Sequence, residues 1–263
     1  MKPELLLTPP AKSTAALEAR VALDLIRMGS PLFQSYRQKE KVSRKQKVVV
    51  VPGFGAGDGY TWPLRQYLAN RGFDIQGWGL GVNKAGLDIA HQLSDLHPRW
   101  KFEPRGVYRR EGGVPLVTDR LIERLEALGQ RDNKPIALIG WSLGGYMARE
   151  AARELPHLIS QVVTLGTPVI GGPKYTLAAP AFIKRKCDLD WIEQSIAFRE
   201  EKPIQVPVTA LVSPSDGVVG YNAALDHHSP NVQHINMDVS HLAFPYSPKA
   251  WKVIERSLMK QEA

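Results

Sequence analysis

Six residues, Gly140-Trp141-Ser142-Leu143-Gly144-Gly145, constrain the fold of this chain more than any other stretch. They stand between an apolar run, Pro135 to Ile139, that reads as a short buried strand, and a stretch from Tyr146 to Leu155 that reads as a helix. A Gly-x-Ser-x-Gly pattern at a strand-to-helix junction describes a nucleophile elbow. Such a turn is so tight that its glycine positions leave no room for side chains and its serine is held in a strained backbone conformation. Ser142 then stands at the tip of the strand. A Gly-rich turn whose serine merely caps the helix carries the same letters, so the choice between the two readings rests on whether Ser142 has chemical partners elsewhere.

The flanking pattern is one of strands alternating with helices. Val48 to Val51, four β-branched residues in a row, read as a strand covered on both faces. Further strands are expected at Phe73 to Trp78, Gln161 to Leu165, Val206 to Val212 and Val232 to Met237. Helices are expected at Thr61 to Arg71 with Gly72 as the stop, at Pro115 to Leu128 with Gly129 beyond it, and at Pro248 to Met259. This alternation predicts an α/β fold, a doubly wound, mostly parallel sheet. Ala85 to Leu96 reads as a helix and Pro98 to Gly113 as a basic loop. Between the strand ending near Leu165 and the one starting near Val206 the rhythm breaks, and a small cap is expected over about 172–203, with a helix from Leu189 to Arg199. Ahead of the sheet, residues 13 to 28 form an amphipathic helix that stops at Gly29-Ser30-Pro31, followed by a basic connector from Gln38 to Lys47. The expected division is therefore an N-terminal helical extension, 1–45, and one domain, 46–263.

Composition narrows the chemistry. With 263 residues and 43% hydrophobic content, one large core can form. The single cysteine, Cys187, excludes an internal disulfide, and no metal-ligand spacing is present, so neither a metal nor a cofactor is expected. The net charge of +8 arises from 34 basic against 26 acidic residues spread along the chain. That distribution suits a solvated surface better than a nucleic-acid interface. Leu5 to Leu7 is too short for a secretory core and Pro9-Pro10 follows at once, while no window is long enough to span a membrane. A cytoplasmic protein is expected, with peripheral membrane association and oligomeric state left open.

After the first strand comes Pro52-Gly53-Phe54-Gly55-Ala56-Gly57-Asp58-Gly59. A dinucleotide-binding fingerprint would need glycine where Asp58 stands and an acid at the tip of the next strand, which instead ends in Gly77-Trp78-Gly79. These glycines do allow backbone NH groups to approach a bound oxygen, as an oxyanion hole requires.

A serine hydroxyl needs a base to take its proton, and the base needs an acid to fix its tautomer. Of seven histidines, His241 directly follows the strand Val232 to Met237, at the carboxyl edge where open α/β sheets bind ligands. Asp216 likewise follows the strand ending at Val212. Asp226 lies away from a strand end, and Asp238 is three residues before His241, so both fit less well.

With the order Ser142, Asp216, His241, the elbow, the glycine loop at Gly53 and the Asp-Gly-Val-Val and Ser-His segments, residues 46 to 260 resemble the α/β-hydrolase family. Leu165-Gly166-Thr167-Pro168 is similar to a segment of its bacterial esterase and lipase branch. The resemblance implies Ser142 as nucleophile, His241 as base and Asp216 as the orienting acid, with the backbone NH groups of Leu143 and Phe54 as the oxyanion hole. It implies two-step acyl transfer on a small-molecule ester, lipid-like esters included, with apolar cap residues such as Phe182, Ile183 and Trp191 favouring an apolar substrate. Pro52-Gly53 replaces the family's usual His-Gly, and residues 1–45 lie outside the resemblance. An acyltransferase or thioesterase would use the same triad, and a non-catalytic binding member of the fold is the reading from another class.

Overall fold

The computed structural model describes residues 6–37, 46–100, 113–132 and 134–260. Six strands, β1 (Lys47–Val51), β2 (Asp74–Gly77), β3 (Ile136–Trp141), β4 (Ile159–Leu165), β5 (Val208–Val212) and β6 (Val232–Asn236), form one sheet. Their spatial order is β2-β1-β3-β4-β5-β6, and every neighbouring pair is parallel. The helices in chain order are α1 (Lys12–Ala16), α2 (Val21–Arg37), α3 (Trp62–Asn70), α4 (Val114–Asp132), α5 (Leu143–Glu154), α6 (Ala179–Lys184), α7 (Leu189–Glu200) and α8 (Pro248–Lys260). The chain runs from β1 outward to β2, then crosses back to place β3 on the other side of β1. The carboxyl ends of β1 and β3 thus flank a topological switch point, where the loops diverge and leave a crevice.

The run of four valines in β1 follows from this two-sided covering. Val48 and Val50 face α3 and α8, packing with Leu64, Leu68 and Trp251, while Val49 and Val51 face α4 and α5, packing with Leu121, Leu125 and Met147. A strand with helices on both faces has no polar side, so the alternation of a half-exposed strand is absent.

Three local expectations give way to tertiary packing. Helix α2 does not stop at Gly29-Ser30-Pro31 but continues through Pro31 to Arg37. Proline removes one helical hydrogen bond, yet Val21, Met28 and Leu32 pack on the core and Ser35 accepts a hydrogen bond from Asn70 at 3.2 Å, which holds the helix beyond the break. Helix α4 runs past Gly129 to Asp132. Gly129 is a contact point and not a stop, because a Cβ there would collide with the Leu158 side chain. The helix expected over Ala85 to Leu96 is replaced by turns and one 3-10 turn, Leu93–Asp95, and a second 3-10 turn, Pro98–Trp100, opens the stretch expected to be a loop. Ala85 and Gly86 both take positive φ, 55° and 70°, which a right-handed helix does not allow. The connector at 38–45 and the loop segment 101–112 lie outside the described residues.

Asp58, the residue that spoils the dinucleotide fingerprint, has a structural task. Its carboxylate accepts from the NH groups of Trp78 at 3.0 Å and Gly79 at 3.1 Å, tying the loop after β1 to the end of β2.

Candidate active site

Strand β3 ends at Trp141, and the Ser142 NH still donates to the Leu165 carbonyl at 2.8 Å. The backbone then reverses at Ser142, with φ 54° and ψ −126°, and α5 begins at the next residue. For a residue with a side chain this conformation costs about 1–3 kcal/mol, and it persists only where the surroundings enforce it. Here they do. A Cβ at Gly144 would fall on the carbonyl oxygens of Val51 and Pro52, and one at Gly140 would fall on the backbone of Gly145, so main chain packs where side chains would stand. The hydroxyl-bearing residue is left at the mouth of the crevice.

The loop after β5 carries Asp216 and the 3-10 turn after β6 begins with His241. Both are buried, at 4% and 2% exposure, although loop residues of these types are ordinarily in water. Asp216 Oδ1 accepts from the NH groups of Val218 at 2.9 Å and Val219 at 2.7 Å, and Oδ2 lies 2.8 Å from His241 Nδ1. A carboxylate only accepts, so Nδ1 carries the imidazole proton and Nε2 presents a lone pair. The backbone of this turn is fixed as well. The Trp141 indole NH donates to the His241 carbonyl at 3.0 Å, and the Tyr60 hydroxyl donates to the Leu242 carbonyl at 2.9 Å. Tyr60 stacks on Trp141 with centroids 4.6 Å apart and planes 2° from parallel. Burial holds the Tyr60 phenol far above its ordinary pKa, so it remains a donor at neutral pH.

The competing acids are occupied elsewhere. Asp226 is buried against Arg149 and accepts from the NH groups of His228 and Ser229, both at 3.0 Å. Burial is the largest single influence and would raise its pKa, but the Arg149 guanidinium and the hydrogen bonds from Ser229 together outweigh it and hold the carboxyl well below the usual range. Asp238 is exposed and bonded to the Ser215 hydroxyl at 2.8 Å and Arg20 at 3.3 Å. Among the other histidines, His234 accepts from the Asp226 NH at 2.9 Å, and burial lowers its pKa.

Ser142 and His241 line the same cavity, of about 180 Å³, together with Phe54 and Leu143. Neither the Phe54 NH nor the Leu143 NH donates to a backbone carbonyl among the described residues. The rest of the lining is mainly apolar. Phe182 of α6 and Trp191, Ile192 and Ile196 of α7 form the roof, and Phe54 meets Phe182 with ring centroids 5.6 Å apart. Trp100 and Tyr146 also line the cavity, a place that no local pattern around either residue signals.

The roof is fastened to the elbow helix by buried charge. Arg149, Glu150 and Arg153 of α5 are each at most 2% exposed. Arg149 pairs with Glu200 of α7 at 3.0 Å as well as with Asp226, and Glu150 pairs with Arg199 of α7 at 2.7 Å. The Arg199 guanidinium also lies over the Trp100 ring, 4.5 Å from its centroid, which fixes a wall of the cavity through a cation–π contact.

The sequence profile described as "Alpha/beta hydrolase family" matches residues 48–259. No curated protein sequence matches the chain. Among solved structures, the fold is similar to that reported for LipS and LipT, two metagenome-derived lipolytic enzymes, at TM-score 0.58 and 16% identity over 84% of this chain and 95% of that one. It is similar to a putative lipase from Acinetobacter baumannii AYE at TM-score 0.55 and 13% identity, over 89% and 96% of the two chains. It is also similar to the proline iminopeptidase of Mycobacterium smegmatis at TM-score 0.53 and 13% identity, over 85% and 93%. At these identities the likeness is one of fold, and the fold carries more than one chemistry.

Proposed function

Because the chain belongs to the alpha/beta hydrolase family, we propose that it is a serine hydrolase that cleaves carboxylic esters through an acyl-enzyme on Ser142. The observation that carries this reading is the buried 2.8 Å bond between His241 Nδ1 and Asp216, which leaves Nε2 as the acceptor in a cavity that Ser142 also lines. His241 takes the Ser142 proton as Oγ attacks the ester carbonyl. Negative charge then develops on the carbonyl oxygen, toward the NH groups of Leu143 and Phe54, each such donor being worth about 3 kcal/mol in related chemistry. Collapse expels the alcohol, which takes the proton from the imidazolium. Water repeats the sequence, giving its proton to His241 and releasing the acid with free Ser142.

An apolar cavity disfavours charged leaving groups and acyl parts, because its lining among the described residues carries no Lys, Arg, Asp or Glu to pair with them. The substrate class that fits is an ester with an uncharged, apolar acyl or alcohol portion. The test is covalent labelling by an alkyl organophosphonate, read by mass spectrometry, alongside hydrolysis of a p-nitrophenyl ester. Wild type is expected to gain one adduct on Ser142 and Ser142→Ala none, with turnover lost in parallel. A folded wild type that takes no label and turns over no ester would instead be a binding member of the fold. An acyltransferase or thioesterase would use the same three side chains. Product analysis with an alcohol competing against water, and with a thioester in place of the ester, separates them.

A further inference from the structure

Residues 6–37 precede the segment that matches the family, yet one of their side chains reaches the reaction centre. Glu18 sits in a single 3-10 turn, Leu17–Arg20, between α1 and α2. Its Oε1 accepts from the backbone NH groups of Gly217 and His241, both at 2.8 Å, and its Oε2 accepts from the NH of Leu242 at 2.8 Å. Gly217 adjoins Asp216, and His241 is the proposed base. One carboxylate therefore joins the loop after β5 to the loop after β6 through three charge-assisted hydrogen bonds, the strong kind, which also fix direction.

The rest of the segment is shaped to bring that carboxylate in. A Cβ at Gly217 would lie 2.6 Å from the Thr14 carbonyl oxygen and 2.8 Å from the Ala15 Cα, so the docking requires glycine at that position. On either side, Arg20 pairs with Asp238 at 3.3 Å, and the Asn222 side chain donates to the Leu6 carbonyl at 3.1 Å. These contacts run along the same two loops. Those loops come from separate strands, and the 2.8 Å Asp216–His241 bond depends on how far apart they are held.

We infer that Glu18 is a positioning residue for the triad. It sets the spacing and orientation of the acid and base loops, and so makes the N-terminal segment part of the active site. The inference rests on the triad proposed above. Gln in place of Glu keeps the shape but offers a single acceptor oxygen, and its amide NH2 must face one of the three NH donors.

The experiment compares full-length wild type, Glu18→Gln, Glu18→Ala and Arg20→Ala. It measures kcat and KM on a p-nitrophenyl ester, the rate of Ser142 phosphonylation, and thermal unfolding, with the kinetics run well below every unfolding midpoint. Glu18→Gln is expected to lower kcat about tenfold and Glu18→Ala about 100-fold, the order of loss expected for a displacement of about 1 Å at the reacting groups. KM should stay within about twofold and the phosphonylation rate should fall in step with kcat, because binding is unaffected and the chemical step is misaligned. Arg20→Ala removes a surface contact of the same segment and should leave kcat within about twofold. If wild type is active but both Glu18 variants keep wild-type kcat and labelling rate while folded, Glu18 is a structural clamp only and the inference falls. A rise in KM at unchanged kcat overturns it equally. Wild type that neither hydrolyses nor labels would bring down the triad reading itself, an outcome distinct from the first two.

Discussion

Replacing Asp216 with Asn tests the site at its most specific joint. Asn is nearly isosteric, and its amide oxygen can still accept from the Val218 and Val219 NH groups now bonded at 2.9 and 2.7 Å. The loop should therefore hold. Its amide NH2 then faces His241 Nδ1, and two donors cannot share that 2.8 Å contact. The imidazole responds by moving its proton to Nε2, which turns that atom from acceptor into donor and leaves the Ser142 hydroxyl without a base. In serine-protease triads the same exchange costs about 10⁴ in kcat, equivalent to a barrier increase of about 5 kcal/mol. Stability should change far less, by about 1 kcal/mol for the one altered hydrogen bond, or a melting shift of about 2–4 °C in a domain of this size. Initial rates on a p-nitrophenyl ester and a circular-dichroism melt measure both quantities. If Asp216→Asn keeps kcat within tenfold of a wild type whose hydrolysis requires Ser142, Asp216 is not the acid that orients the base.

Asp226→Asn should give the opposite signature, since this carboxylate neutralises Arg149 and not the imidazole. Breaking a buried pair on one side costs about 3 kcal/mol or more in stability, whereas kcat of the folded protein should stay near wild type. The folded-state pKa of Asp226 is depressed, so its contribution is complete above the ordinary carboxylate value of about 4 and is lost as pH falls below it toward the folded value. Denaturant melts from pH 6 downward should show wild type losing stability more steeply than Asp226→Asn in that acid range, and equal slopes would contradict the assignment. Ile196→Trp places bulk in the roof of the cavity and should cut kcat/KM for octanoyl relative to butyryl esters by about tenfold, as a few lost methylene contacts imply. An unchanged chain-length ratio would mean that the acyl group lies elsewhere.

The strands and the three proposed catalytic side chains were legible because each signal is local. An apolar run followed by a loop residue of the right chemistry needs only a few neighbours to be recognised, and Ser142, Asp216 and His241 each stand just past such a run. Where local signals misled, packing over a distance had overruled them. Pro31 read as a stop because the Asn70 and core contacts that sustain α2 come from other parts of the chain. Arg149, Glu150 and Arg153 have the letters of a solvated helix face, and nothing nearby announces that Arg199, Glu200 and Asp226 arrive to cover them. Glu18 was wholly silent: a glutamate in an amphipathic stretch is ordinary, and its partner at His241 is 223 residues away.

The charged fastening between α5 and α7 also decides where this molecule can open. Lifting α7 away would take Glu200 from Arg149 and Arg153 and Arg199 from Glu150 and Glu154, leaving buried charge only partly matched in a dry interior, at a cost of several kcal/mol. No ion pair among the described residues restrains α6. It rests on Phe182 beside Phe54, with Ile183 59% exposed at its outer side. Sliding one greasy ring past another requires no charge to be uncovered, so of the two roof helices the short one costs less to displace, and the long one serves as its fixed lintel.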